Sequence, residues 1–348
     1  MSIFRSPDNP IIEPKDIKPS RDDFEVIGVF NAGVSRLKDE VILLLRVAER
    51  PISTNPDVVL TAIYDVGRDD FVIKEFLKEN PQVDFSDPRI IKTPDGLFLT
   101  SISHFRVARS KDGISFEIED SPTFSPANDY ETFGVEDPRI SLIDGTYYIN
   151  YSAVSISGIT TYLASTKDFK SFNRHGIIFC PDNKDVVIFP EKVNGKYYAL
   201  HRPASALFKR HDVWTAQSPD LVCWGNHRSL MGLRPGFWDE ARIGAGAVPF
   251  KIEQGWLEIY HGVDRNSRYC LGAVLLDAAE PRKVLARSAE PVFEPQAAYE
   301  CEGFFGNVVF TCGLLYEEDK LKIYYGASDT SICYAELPLE DVIKNLNL

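Results

Sequence analysis

Along this chain short apolar runs alternate with turn residues, and a helical period of apolar positions is hard to find. One local pattern keeps returning: a turn carrying Asp, Asn or Gly, then an alternating run of aromatic and β-branched residues. Its copies are Lys38-Asp-Glu-Val-Ile-Leu-Leu44, Asp95-Gly-Leu-Phe-Leu99, Asp144-Gly-Thr-Tyr-Tyr-Ile149, Asn194-Gly-Lys-Tyr-Tyr-Ala199, Gln254-Gly-Trp-Leu-Glu-Ile-Tyr260 and Asp319-Lys-Leu-Lys-Ile-Tyr-Tyr325. Asp-Gly and Asn-Gly between extended runs predict hairpins, because both central turn positions take positive φ. Behind three of the hairpins comes a second element: Ala108-Arg-Ser-Lys-Asp-Gly-Ile-Ser-Phe116, Ala164-Ser-Thr-Lys-Asp-Phe-Lys-Ser-Phe172 and Ala216-Gln-Ser-Pro-Asp-Leu-Val-Cys-Trp224. These copies lie about 50 residues apart, the period of a four-stranded propeller blade. A blade cannot bury both its faces alone, so several must stack radially and close into a ring. The pattern predicts an all-β chain, residues 1–348 forming a single β-propeller domain, with one short C-terminal helix over about 339–347.

Composition narrows the partners more than the fold. Acidic residues outnumber basic ones, 51 to 38, for a formal charge of −13. That argues against nucleic acid and anionic membrane, which favour basic surfaces, although a few converging cations can still hold a small anion. No apolar run approaches the ~20 residues of a membrane span. The start of the chain lacks the apolar core of a secretory signal. The six cysteines are scattered without a CxxC pair and read as reduced thiols, neither a disulfide framework nor a zinc site. A cytoplasmic enzyme is expected.

Propellers place function at one end of the central channel, so polar residues that interrupt or end the inner strands are the candidates. Asn31, Arg46, Asp137, Lys184, His201-Arg202, Arg242, His261 and Asp329 are of this kind. Asp137 lies in Gly134-Val-Glu-Asp-Pro-Arg-Ile140, where Pro138 is expected to hold it in an extended conformation. A carboxylate held so firmly suits a general acid. A near-copy, Phe85-Ser-Asp-Pro-Arg-Ile90, tempers this: Asp-Pro-Arg could be a structural corner of the repeat, its Asp capping a turn and pairing with its Arg. Asp87 is read as such a corner. The cations taken singly could be surface ion pairs, and His261 a satisfied core histidine. No metal-ligand spacing, phosphate-cradling Gly-rich loop or GxSxG elbow is present, so no metal and no nucleotide cofactor is expected.

Ten segments together carry a family resemblance. They are Phe30-Asn-Ala-Gly33, Leu43-Leu-Leu-Arg-Val47, Gly134-Val-Glu-Asp-Pro-Arg139, Asn183-Lys-Asp-Val186, Phe189-Pro-Glu-Lys192, His201-Arg-Pro203, Arg242-Ile-Gly-Ala-Gly246, Gly255-Trp-Leu257 with Tyr260-His-Gly262, Leu275-Leu-Asp277 and Tyr324-Tyr-Gly-Ala-Ser-Asp329. In this order they resemble glycoside hydrolase family 130, the inverting β-mannoside phosphorylases and related β-mannosidases. The resemblance implies a five-bladed β-propeller with its active site in the central cavity. The chain shows six hairpin signals, so one is expected to complete a blade begun elsewhere, with the terminal segments closing the ring. It implies Asp137 as general acid, its proton relayed through the 3-hydroxyl of the mannosyl unit. Asn31, Arg46 and Asp329 match positions that hold that unit, and Lys184, Arg202, Arg242 and His261 match positions that bind inorganic phosphate. Ala32 stands where the family often has Ser, and Arg242 where it often has Lys. Members often associate, so a homo-oligomer is possible.

An inverting hydrolase needs an acid and a base roughly 6.5–9.5 Å apart, whereas a phosphorylase needs only the acid, because phosphate arrives as the nucleophile. Phosphate brings about −1.5 to −2 charges that converging cations must match. The cations kept in this acidic chain therefore favour phosphorolysis of a β-mannoside to α-mannose 1-phosphate. The compact length and the segments from Asn183 and Phe189 point to a β-1,2-mannobiose or short β-1,2-oligomannoside. β-1,4-Mannosyl-glucose, β-1,4-mannosyl-N-acetylglucosamine, simple hydrolysis and a non-catalytic sugar-binding propeller are the alternatives.

Overall fold

In the computed structural model, which describes residues 3–204, 207–208 and 210–346, five antiparallel sheets follow one another around a ring. Blade one consists of Phe24–Leu37, Glu40–Pro51, Ile102–Ser110 and Glu117–Ile118. Blade two is Val135–Ile143, Thr146–Ser155, Gly158–Thr166 and Asn173–Phe179; blade three is Asn183–Ile188, Tyr197–Pro203, Val213–Ser218 and Gly225–Met231. Blade four begins with a broken strand, Arg242–Ala245 and Phe250–Ile252, and continues with Gly255–Val263, Tyr269–Leu276 and Val284–Arg287. Blade five takes three strands from the C-terminal end, Val309–Glu317, Lys320–Ala327 and Ser331–Pro338, and its fourth, Phe4–Arg5, from the N-terminus. The first strand of each blade faces the axis.

Period-two alternation explains why the second strands read as unbroken apolar runs. Along Val41-Ile-Leu-Leu-Leu45, the odd residues pack with Tyr324, Ile332 and Tyr334 of blade five. The even ones, Ile42 and Leu44, pack with Ile140, Ile149 and Tyr151 of blade two. Both faces of the blade are thus buried here, and both sets of alternating side chains along Val41–Leu45 are apolar. The same division recurs around the ring, with one apolar cluster at each of the other three blade contacts. Each such side chain, once buried, contributes roughly 1.5–3 kcal/mol over leaving it exposed.

The second repeated element is the link from third to fourth strand. Asp112 accepts from the N–H groups of Ile114 and Ser115, both at 2.8 Å, and Asp168 and Asp220 cap the next two residue pairs in the same way. The residue after each Asp turns into positive φ, at 77° for Gly113, 55° for Phe169 and 71° for Leu221.

The sixth hairpin signal has another home than expected. Asp95-Gly96 joins Ile90–Thr93 to Gly96–Leu99, a two-stranded hairpin outside the blades. Together with a second hairpin, Val58–Asp65 and Asp70–Leu77, it fills an insertion between the second and third strands of blade one. A turn signal reports a local hairpin and carries no information about which sheet the hairpin joins. The terminal segments do close the ring. The C-terminal helix runs Leu339–Asn345, shorter than expected, and residue 347 lies outside the described residues. No helix among the described residues is long and apolar enough to cross a membrane.

Closure rests on more than two paired residues. Arg5 Nε donates to Glu300 Oε1 at 2.8 Å and its Nη2 to the Glu294 carbonyl at 2.8 Å, with its guanidinium 4.7 Å above the Phe293 ring. Glu300 is fully buried and also accepts from Tyr325 Oη at 2.7 Å. Removing Arg5 leaves that carboxylate buried without its cation, so Arg5→Met is expected to cost about 3 kcal/mol. Urea denaturation checks this, and a loss below about 1 kcal/mol would mean that the clasp carries little of the closure.

Candidate active site

The inner strands of blades one to three are interrupted at the same level by bulges, between Phe30 and Gly33, Glu136 and Arg139, and Lys184 and Val187. Each bulge holds a short polar residue in left-handed backbone: Asn31 at φ 52°, Asp137 at 50° and Asp185 at 53°. Asn and Asp are the side chains that tolerate this region best. The extended conformation expected for Asp137 is therefore not found. Pro138 disfavours the right-handed helical region, but the two-for-one pairing of the bulge turns Asp137 through left-handed backbone and its carboxylate out of the ladder. Asp329, at φ 50°, does the same in the turn that ends the second strand of blade five.

These residues meet in one pocket of about 330 Å³, lined from all five blades. Asn31, Arg46, Asp137, Lys184, Arg202, Arg242, His261 and Asp329 all border it, whereas the candidate His201 does not: it stacks on Phe179 and hydrogen-bonds with Asn183 and His227. Arg46 Nη1 and Asn31 Nδ2 donate to the same oxygen of Asp137, at 2.8 and 2.9 Å. Arg46 Nη2 also pairs with Glu136 at 2.8 Å, and its plane lies 4.6 Å over the Phe30 ring. Lys184 Nζ stands 3.1 Å from Glu136 and 3.8 Å from Asp137.

Opposite, Asp185 is buried among Arg139 (3.3 Å), Arg202 (2.9 Å) and His261 (3.4 Å). A side chain at Gly244 would come within 2.4 Å of Asp185 and 2.5 Å of His261, so only glycine lets blade four approach this closely. Arg242 donates to Tyr269 Oη at 2.9 Å. Among the described residues, Arg202 Nε and Nη1 and His261 Nδ1 are buried without hydrogen-bond partners.

Charge sets the protonation of the pocket. Burial pushes the Asp137 carboxyl upward, but Arg46, Lys184 and Arg139 outweigh it and hold its pKa well below the ordinary range. Asp185 is likewise kept down at about 2, burial being overcome by Arg202, His261 and Arg139. Burial opposes the charge on Lys184, yet Glu136 and Asp137 raise its pKa. Burial lowers His261 to about 3 and leaves it neutral near pH 7. Asp329 is pushed up to about 6, by burial and then by Asp137. Of Asp87, Asp137, Asp185 and Asp329, only Asp329 has its pKa raised.

Three participants were not anticipated as site residues: Glu136, Arg139 and Asp185. Asp185 stands at the same place in its bulge as Asn31 and Asp137, and that register was the signal available in the sequence. The two Asp-Pro-Arg copies turn out to be used differently. Arg139 donates to the Asp137 backbone carbonyl at 3.1 Å and gives its side-chain pairing to Asp185. Arg89 instead grips the Asp87 carboxylate with Nε and Nη2 at 3.0 and 2.9 Å. Asp87 is also not a corner of the propeller repeat. It precedes the inserted hairpin, and with Arg89 it borders the pocket.

Carboxylates and cations converge in one pocket lined from all five blades of the propeller, an arrangement chemically able to bind hydroxyl groups and an anion. The chain belongs to glycoside hydrolase family 130: the family model, described as beta-1,4-mannooligosaccharide phosphorylase, matches residues 99–348. The beta-1,2-mannobiose phosphorylase of Listeria innocua is 47% identical over 352 residues, covering 100% of this chain and 99% of that one. A 1,2-beta-oligomannan phosphorylase of Thermoanaerobacter is 43% identical across 69% of this chain and 80% of its own. The structure of the Listeria innocua enzyme in complex with beta-1,2-mannobiose superposes with a TM-score of 0.97, at 47% identity, over 100% of this chain and 99% of that one.

The raised Asp329 has a measurable consequence. Its folded-state pKa of about 6 lies above the ordinary value of 3.8, so between these the folded protein keeps a proton that the unfolded chain has released. Stability therefore falls as pH rises through that window. Asp329→Asn is expected to stabilise the ligand-free protein by roughly 1–3 kcal/mol at pH 8 and to be nearly neutral at pH 4. Thermal denaturation at the two pH values checks the difference, and equal effects at both would refute it.

Proposed function

We propose that this protein catalyses the inverting phosphorolysis of a β-1,2-mannoside, with β-1,2-mannobiose as the preferred substrate, to give α-mannose 1-phosphate and mannose. The observation that carries the reading is Arg202. Its guanidinium is buried and paired with Asp185 through Nη2, but among the described residues Nε and Nη1 have no partner, so beside Lys184, Arg242 and His261 it offers donors to a further anion. Phosphate matches its fork geometry. The two relatives named above share a 1,2-β-mannoside substrate and phosphorolysis. Full-length identity to the mannobiose enzyme favours the disaccharide.

In this reading Asn31, Arg46 and Asp329 hold the mannosyl unit, and phosphate bound by Lys184, Arg202, Arg242 and His261 attacks C1 from the face opposite the leaving sugar. Asp137 delivers the proton to the glycosidic oxygen through the 3-hydroxyl. Its lowered pKa keeps it ionised among these cations, so it must gain that proton on binding. Arriving phosphate adds negative charge nearby and competes for Lys184, and both changes raise the pKa of Asp137. Asp185 keeps Arg202 and His261 in place. Phosphate is the only co-substrate the scheme requires, and a cytoplasmic location, where phosphate and sugar metabolism meet, suits it.

Hydrolysis would need a carboxylate free to activate water. Glu136 and Asp185 are each held in ion pairs with cations of the pocket, so neither stands free to position a water. Incubation with β-1,2-mannobiose is expected to release α-mannose 1-phosphate only when phosphate is present, with Asp137→Asn lowering kcat at least a hundredfold. Anomer-resolved NMR of the product checks both, and mannose release independent of phosphate would overturn the reading in favour of a mannosidase.

A further inference from the structure

We propose that Asp87 and Arg89, at the base of the blade-one insertion, bind the sugar on the leaving side of the scissile bond and so set acceptor specificity, an inference that rests on the phosphorolytic reading. The groups assigned to the mannosyl unit and to phosphate come from the five blades. The insertion adds a different wall to the same pocket, through Asp87, Arg89, Ile90 and Leu99. Arg89 and Asp87 are the ionic groups on that wall. Their side chains remain 40% and 28% exposed, so a ligand can reach them.

Their geometry suits a sugar. Asp87 takes the Nε and Nη2 edge of Arg89, and Arg89 stacks face-on over Phe305 at 4.4 Å. The stack and the ion pair fix the guanidinium plane, and among the described residues Nη1 makes no hydrogen bond. Free N–H donors therefore stand beside a carboxylate oxygen that can still accept. A vicinal diol needs this combination, since each hydroxyl both gives and takes a hydrogen bond. Phe305 lies edge-on to Tyr269 at 6.3 Å, and Tyr269 holds Arg242. The wall is thus braced against the side of the pocket assigned to phosphate without taking part in it.

The shared family model begins at residue 99 and so contains Asp137, Lys184, Arg202, Arg242, His261 and Asp329, while Asp87 and Arg89 precede it. Asn31 and Arg46 precede it too, but both bind Asp137 directly. The proposed acceptor wall thus lies in a part of the chain that the matched segment does not include.

The test is the reverse reaction, synthesis from α-mannose 1-phosphate and mannose, with the full-length protein carrying Arg89→Lys or Asp87→Asn. Lysine keeps the charge and loses the fork. The KM for mannose is expected to rise about tenfold or more in each variant, the size of a lost charged hydrogen bond. The KM for α-mannose 1-phosphate should stay within about twofold. An unchanged mannose KM in both variants overturns the proposal, and so does a parallel rise in both KM values, which marks a merely structural role. If the unmodified protein makes no disaccharide, the phosphorolytic reading is what fails. Calorimetric titration then decides the wall's role: weaker binding of β-1,2-mannobiose but not of mannose 1-phosphate supports it, and unaltered binding of both overturns it.

Discussion

Everything at the site depends on the bulge. A propeller blade has both faces buried against its neighbours, so its strands have no polar face on which to carry chemistry. A bulge in the innermost strand releases one residue from the ladder and turns its side chain along the axis. Three blades repeat the device at the same level, with Asn31, Asp137 and Asp185 in left-handed backbone. Such conformations cost of order 1–3 kcal/mol for each residue and persist where surroundings over-determine them. Here the surroundings are the ion pairs themselves. Asp137 is held by Asn31 and Arg46, and Asp185 by Arg139, Arg202 and His261.

The pocket is nearly charge-balanced before anything binds. Lys184 and Arg46 share Glu136 and Asp137, and Asp185 serves three partners on the opposite side. An incoming phosphate dianion must therefore exchange partners rather than fall into a purely positive well. That exchange couples anion binding to protonation of the neighbouring carboxyls, because each carboxylate that loses a cation becomes a better base. A general acid with a depressed pKa in the free protein is consistent with this logic. In the proposed mechanism its proton would arrive with the second substrate.

The repeat was legible because each of its signals is local. Asp-Gly and Asn-Gly turns, capped Asp turns and two-sided apolar runs are short-range consequences of backbone sterics and of burial on both faces. Their count misled at one place. Asp95-Gly96 makes a hairpin as strong as any other, but on an insertion, and nothing within a hairpin's own residues says which sheet it will join. Proline before a bulge misled in the same manner. The local preference of Asp137 for extended backbone yielded to pairing with Ala153, Ser152 and Asn150 on the next strand, which leaves a residue too many between Glu136 and Arg139.

By itself the sequence determined the all-β repeat, the identity of the polar residues that break the inner strands and, by resemblance, the family. These follow from periodicity and from residue types that have no other reason to stand where they do. Tertiary structure alone decided which of two identical tripeptides supplies a buried carboxylate. Asp137 and Asp87 share Pro and Arg neighbours, but only at Asp137 do a bulge and the residues of facing blades pull the arginine away to Asp185 and leave the carboxylate to Arg46 and Asn31. In Asp87-Pro88-Arg89 no other carboxylate among the described residues pairs with the arginine, and the pair closes on itself. The contacts that separate them span 46 to 107 residues of chain, a range over which local sequence carries no constraint.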